Sequence, residues 1–192
     1  MVIGRIGKRR PGMVILDVFI KLGVNKQQAV ITYKWNLMQF LVIRSLQNYN
    51  NRVWRKRMFE KKNPMFEKFT FNTPVSEKEI IEVEKELNVK FPRDYLDFMQ
   101  KTNGGEGTIG EVSYLRIWKI EELAESNEDY EVSEYAPGFV VIGSDGGGTV
   151  YGYDFRNDIP KLVEVSFIGL NIDTPNYSTN NFFDFIDYLY ND

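Results

Sequence analysis

The chain has 192 residues, 43% of them hydrophobic and 15% aromatic, enough to bury a core of ordinary size. It contains no cysteine and no histidine, which excludes disulfides, Cys/His zinc sites, Ser–His and Cys–His nucleophiles and imidazole acid–base work. Its net charge of −3 hides a sharp asymmetry. Residues 1–64 carry 14 Lys+Arg against two acids, Asp17 and Glu60, and residues 65–192 carry 10 against 25, giving +12 and −15. A break this abrupt marks a boundary at Pro64.

Residues 1–64 read as a basic N-terminal extension. "MVIGRIGKRRPG" joins a basic cluster to turn formers. "MVILDVFI" is interrupted by Asp17 and is followed by no small-residue cleavage site, so a secretory signal is not expected. "WNLMQFLVI" falls far short of the about 20 apolar residues that span a bilayer. From Gln27 to Lys62 there is neither Gly nor Pro, and Val30, Leu37, Leu41 and Val53 allow a long helix. Its tail, "NNRVWRKRMFEKK", interleaves basic and aromatic residues. Three readings stay open: contact with nucleic acid or an anionic membrane, a solvated and poorly ordered basic face, or a segment outside the native product. The last arises because Met58 and Met65 are both candidate internal starts.

The acidic part, residues 65–192, opens with "VSEKEIIEVEKELNV". Ser76 and Glu79 have the spacing of a capping box, Val75 can staple onto Ile80, and Ile80, Val83 and Leu87 share one helix face. "FPRDYLDFMQKTNGG" predicts a second helix, with Pro92 in its first turn, Tyr95, Leu96, Phe98 and Met99 as its core face, and Asn103-Gly104 as its end. The two helices read as a hairpin.

The period then changes. "SYLRIW", "GFVVIGSD", "TVYGYDF" and "KLVEVSF" are strands by their β-branched and aromatic content. "KIEELAESNEDYEVSEYAP" is a helix or loop with a dense acidic run. "YSTNNFFDFIDYLYND" closes the chain as a helix with Phe182, Phe185, Ile186 and Leu189 inward and Ser178 or Thr179 as cap. The predicted class is α+β, an N-terminal helical pair and a C-terminal helix packed on one side of a mainly antiparallel sheet.

The glycines of "VIGSDGGGTVYGYDF" invite a phosphate-loop reading. A Walker loop needs Lys followed by Ser or Thr and then a helix, and the dinucleotide pattern also needs a helix. Here there is no Lys and a strand follows, so the glycines are expected to turn a hairpin. Asp145, Asp154 and Asp158 border turns, where aspartates bond nearby amides, and are not assigned to a metal or carboxylate pair. No catalytic residue, cofactor or metal is expected.

In this order, "ELNVKFPRDYLDFMQKTNGG", "VVIGSDGGGTVYGYD", "LVEVSF" and "NNFFDFIDYL" resemble the SUKH superfamily, which comprises bacterial immunity proteins and the yeast Smi–Knr regulators of cell-wall glucan synthesis. The resemblance covers about residues 70–191. Its Pro-x-x-Tyr motif falls on Pro92 and Tyr95, and its Asn-Gly on Asn103 and Gly104. Its glycine turn falls on Gly143, Asp145, Gly146 and Gly147, and the following aromatic strand ends at Asp154. Phe182 and Phe185 stand in its closing helix, where Asn181 departs from the family's serine.

The resemblance implies a non-enzymatic α+β domain that binds a protein, in bacteria a polymorphic toxin, often a nuclease, neutralised in the cytoplasm. The acidic surface suits such a basic partner. The residues expected to meet it are Glu121, Glu122, Glu125, Glu128 and Asp129 of the acidic run, Glu106 and Asp145 beside glycine-rich turns, and Trp118 as an aromatic anchor. A regulatory or scaffolding role of the Smi–Knr type is the alternative.

Overall fold

The computed structural model describes residues 63–192 continuously and, before them, positions 25, 27, 28, 30–39, 41, 42, 45 and 53. The contacts divide the chain between Val53 and Trp54 into two units. In the first, the described residues from 27 to 53 are helical, and Ile31, Trp35, Leu37 and Leu41 stand exposed. The cluster at residues 5–10 and nearly all of the basic tail at 50–62 lie outside the described residues.

The second unit contains a sheet of seven strands: β1 (Lys68–Phe71), β2 (Gly105–Ile109), β3 (Ser113–Ile117), β4 (Phe139–Ser144), β5 (Thr149–Asp154), β6 (Lys161–Ser166) and β7 (Tyr177–Thr179). Every neighbour in space is a neighbour in sequence, and every pair is antiparallel. The sheet is therefore a meander, with no crossover connection to build. Helices α1 (Glu77–Glu86) and α2 (Arg93–Thr102) follow β1. A 3-10 turn (Ile120–Glu122) leads into the short helices α3 (Leu123–Asp129) and α4 (Val132–Tyr135) between β3 and β4, and α5 (Phe182–Asn191) comes last.

The capping box forms as the spacing requires. The Glu79 amide donates to Ser76 Oγ at 3.3 Å, and the Ser76 amide donates to Glu79 Oε2 at 3.0 Å. Val75 and Ile80 are both buried. Pro92 sits at the N-cap of α2, and Asn103 ends that helix in the left-handed region at φ 46°. The two helices take their main packing elsewhere than in the expected hairpin: α1 lies on the 3-10 turn and α3, and α2 on α5. The cap of α5 is Asn181, whose Oδ1 accepts from the Phe183 and Asp184 amides at 2.8 and 3.2 Å. Ser178 and Thr179 belong instead to β7, because the chain stays extended long enough to pair with β6 before turning.

Asp94 ties the helices into one layer. Its Oδ1 accepts from the Tyr95 amide at 3.0 Å, and its Oδ2 accepts from the Phe182 amide, the first residue of α5, at 2.7 Å. The rings beneath interlock: Phe98 and Tyr95 meet Phe182 at 4.9 and 5.5 Å between centroids, and Tyr151 meets Phe185 at 4.9 Å. Edge-on and tilted pairs of this kind add to the stabilisation from burial alone.

Along β5, Tyr151 and Tyr153 turn toward these helices, whereas Val150 and Gly152 face the other way and are buried too. The second face is covered because α3 and α4 pack on β4 and Phe139 lies across Gly152, where a Cβ would come within 2.4 Å of its ring. The sheet is thus covered on both faces in its second half, not on one side as the element order suggested.

Tyr95 and Tyr153 are 0% exposed, and their hydroxyls have no hydrogen-bond partner among the described residues. Burial drives both phenols upward from their ordinary pKa. Removing an unsatisfied buried hydroxyl relieves a desolvation cost. Tyr153→Phe is therefore expected to leave stability unchanged or raise it by about 1 kcal/mol in urea unfolding, and a clear loss of stability would contradict the orphaned hydroxyl.

Candidate protein-binding face

Asn103 builds the entrance to this face. Its left-handed backbone lets the side chain leave α2 sideways. Its Oδ1 accepts from the Ile120 amide at 2.9 Å, its Nδ2 donates to Glu121 Oε2 at 2.8 Å, and its carbonyl accepts from Asn72 Nδ2 at 2.9 Å. One buried amide thereby fixes the start of the acidic segment against the end of β1.

Seven residues on, Asn127 anchors the same segment to the sheet. β3 pairs with β4 only at Arg116 and Ile117, and β4 bulges between Val141 and Gly143. The Val141 amide donates to Asn127 Oδ1 and its carbonyl accepts from Asn127 Nδ2, both at 2.8 Å. The side chain substitutes for a missing strand residue, as buried backbone groups require.

The outer surface of this segment meets the end of β6 in a file of rings. Trp118 stacks on Tyr130 at 5.8 Å, and Tyr130 meets Phe167 edge-on at 5.1 Å. Trp118 is 7% exposed, so its indole lies under the surface, while Tyr130 is 47%, Phe167 38% and the adjoining Ile168 87% exposed. Asp129 and Glu131 flank Tyr130 in the chain, and Glu125 and Glu128 of the same segment stand exposed as they do. An apolar strip with an acidic rim is suited to protein contact, since isolated exposed rings are ordinary but contiguous ones are not.

The other residues singled out from the sequence distribute as follows. Glu121 is engaged by Asn103, and Glu122 pairs with Lys119 at 2.8 Å. Glu106 lies 3.8 Å from Arg116 and accepts from the Tyr114 hydroxyl at 3.3 Å. Glu106, Trp118 and Glu122 share a shallow hollow with Arg116 and Lys119, which balances its charge. Asp145 folds the glycine turn: its Oδ1 accepts from the Gly147 and Thr149 amides at 2.7 and 3.0 Å, while Gly146 takes φ +76°. The Gly148 carbonyl accepts from the Phe167 amide at 2.8 Å, so the turn supports the aromatic strip. Tyr130, Phe167 and Ile168 were not legible as surface residues, because "SFIG" reads as the end of an inward-facing strand.

Of the motif positions, Tyr95, Asn103, Gly104, Gly143, Asp154, Phe182 and Phe185 are buried in the packed frame and Pro92 is half-buried, whereas Asp145, Gly146 and Gly147 form the glycine turn at the surface. Asp154 receives Arg156 through its Nε and Nη2, both at 3.0 Å, and Arg156 reaches on to Asp173 at 2.7 Å. Among the described residues, no group of three or more Asp or Glu could hold a metal ion, and no helix is long and apolar enough to cross a membrane.

This arrangement defines an α+β domain, a meander sheet whose buried motif residues build the frame and whose acidic segment presents Tyr130 against Phe167. The SMI1 / KNR4 family (SUKH-1) profile matches residues 74–188, and the chain belongs to that family. It is also 37% identical over 75 residues to the uncharacterized protein YnaB of Bacillus subtilis (strain 168), a stretch covering 39% of this chain and 47% of that protein. The match therefore spans about half the length of that relative.

Two buried aspartates titrate in opposite directions. Burial pushes Asp94 above the ordinary carboxylate value, against the amides of Phe182 and Tyr95. Burial also works against the charge of Asp154, but the hydrogen bonds and charge of Arg156 prevail and hold it below. Asp154 thus contributes stability that is present above the ordinary value and lost as pH falls through its folded pKa, and Asp94 contributes stability present below that value and lost as pH rises through its folded pKa. Carboxyl carbon NMR titration is expected to find the two on opposite sides of 3.8. Coincident midpoints would contradict this assignment.

Proposed function

We propose that residues 65–192 are a non-enzymatic immunity domain that binds a secreted polymorphic toxin and neutralises it in the cytoplasm. The observation that carries this reading is the contiguous Tyr130–Phe167–Ile168 strip inside an acidic rim. Exposed rings supply the desolvated centre of an interface, and the surrounding carboxylates steer a basic partner toward it. A nuclease fits, because the groove that holds nucleic acid must be positive. Family membership supports a protein-binding role of the immunity or Smi–Knr type. The regulatory type is the competing reading, and it predicts several weak partners where immunity predicts one tight one.

The test pairs the full chain with C-terminal toxin domains encoded beside genes of this family, scoring growth protection and complex formation. One toxin is expected to form a stoichiometric complex, and Tyr130→Ala is expected to weaken it by about 2 kcal/mol or more. Raising the salt should slow association more than it speeds dissociation. Absence of a complex with any such toxin, or unchanged affinity in both Tyr130→Ala and Phe167→Ala, would count against this reading.

A further inference from the structure

The glycine turn that supports the aromatic strip through Gly148 also borders a hollow through Asp145. That hollow is lined by Tyr114, Asp145, Tyr151, Glu164, Tyr188 and Asp192, together with small and apolar residues, and by no Lys or Arg. Three carboxylates thus share one concavity without a cation in its wall. Their existing hydrogen bonds leave acceptor capacity: Glu164 accepts from Asn176 Nδ2 at 3.4 Å and from the Tyr188 hydroxyl, Asp192 accepts from the Ser113 hydroxyl at 3.4 Å, and Asp145 uses Oδ1 on the two turn amides.

The crowding of negative charge is visible in the groups around it. Burial pushes the Glu164 carboxyl up, the hydrogen bonds from Asn176 and Tyr188 hold it back, and the charges of Asp192 and Asp145 add to the rise. Burial likewise raises the Tyr151 phenol, followed by Glu164, Asp145, Tyr188 and Asp192, all of one sign. A second observation is independent of these charges. Tyr151 lines the hollow, is 3% exposed and makes no hydrogen bond through its hydroxyl to any described group. A buried phenol usually finds a partner, and here the open direction is the hollow.

The ligand class follows from size and geometry. The carboxylates do not converge closely enough for one metal ion, so the cation must be larger and must itself bridge the walls. A guanidinium does so: it is planar, offers five donors, pairs with carboxylates and lies on aromatic rings. We propose that this hollow receives an arginine side chain of the bound protein, held by Glu164, Asp145 and Asp192 with the Tyr151 hydroxyl as a further acceptor. The proposal rests on the protein-binding reading above and gives the partner a second anchor, across the glycine turn from the aromatic strip.

The test uses the full chain, isotope-labelled and titrated in separate arms with N-acetyl-arginine amide, N-acetyl-lysine amide and calcium, observed by NMR. The arginine amide is expected to give saturable shifts centred on Thr149, Tyr151 and Glu164. Glu164→Gln and Tyr151→Phe are each expected to weaken it about fivefold or more, while Glu82→Gln, on the exposed side of α1, leaves it unchanged. Both variants keep the size of the side chain, so folding is checked by their spectra. Shifts spread without saturation over the acidic surface, tighter binding of lysine or calcium, or unchanged affinity in both variants would overturn the proposal. A silent titration beside an intact toxin complex removes this hollow alone, whereas failure of the wild-type chain to bind any toxin removes the underlying reading.

Discussion

The arrangement of this domain depends on a single left-handed asparagine. Asn103 ends α2 two residues before β2, spends both polar groups of its side chain on the 3-10 turn at Ile120 and Glu121, and gives its carbonyl to Asn72 beyond β1. An amide is suited to this junction because it donates and accepts at once and tolerates positive φ. Leucine or alanine there would leave the Ile120 amide unmatched in a buried place and would strain the backbone. Because Ile120 begins the acidic segment, the same junction sets where the exposed rings and carboxylates stand relative to the sheet.

Charge is handled differently inside the frame and on its surface. The buried carboxylates each have a defined structural partner: Asp94 takes two amides, Glu84 takes Lys90 and the Phe91 amide, Asp97 takes Arg93, and Asp154 takes Arg156. Removing one partner from such a pair costs far more than the pair contributes. Around the glycine turn the pattern reverses, with carboxylates gathered beside unpartnered or exposed aromatic groups. An uncompensated surface of this kind weakens the folded state slightly through self-repulsion, which a basic partner of the proposed kind would relieve. The three glycines therefore matter as a compact turn from which both the rings and the acidic hollow can be reached.

Much of the frame was legible because its signals are local. The capping box at Ser76 and Glu79, the Asn-Gly end of α2 and the β-branched and aromatic content of β3 to β6 each lie within or next to the element they specify. β1 is four residues long, β2 is diluted by two glycines, and β7 is three residues long, so none carries enough period to be read. The cap of α5 moved to Asn181 because pairing with β6, a tertiary event, kept Ser178 and Thr179 extended. In the acidic run, charge was visible and its organisation was not. Asn127 looks solvated within "ESNED", and its burial follows from a bulge in a strand fourteen residues away. Trp118 was a reasonable anchor by residue type, but Tyr130 covers it and takes the outward position.

The measurement that tests the central dependence most directly is amide hydrogen exchange in Asn103→Gly. Glycine keeps the left-handed turn and removes only the side-chain ties, so the backbone of α2 should end as before. The account predicts that the Ile120 amide loses protection by an order of magnitude or more, with loosening that spreads through α3 toward Tyr130, while the Tyr153 amide in β5 follows only the change in global stability. Unaltered protection at Ile120, or an equal loss at Ile120 and Tyr153, would contradict the claim that this one amide positions the binding face.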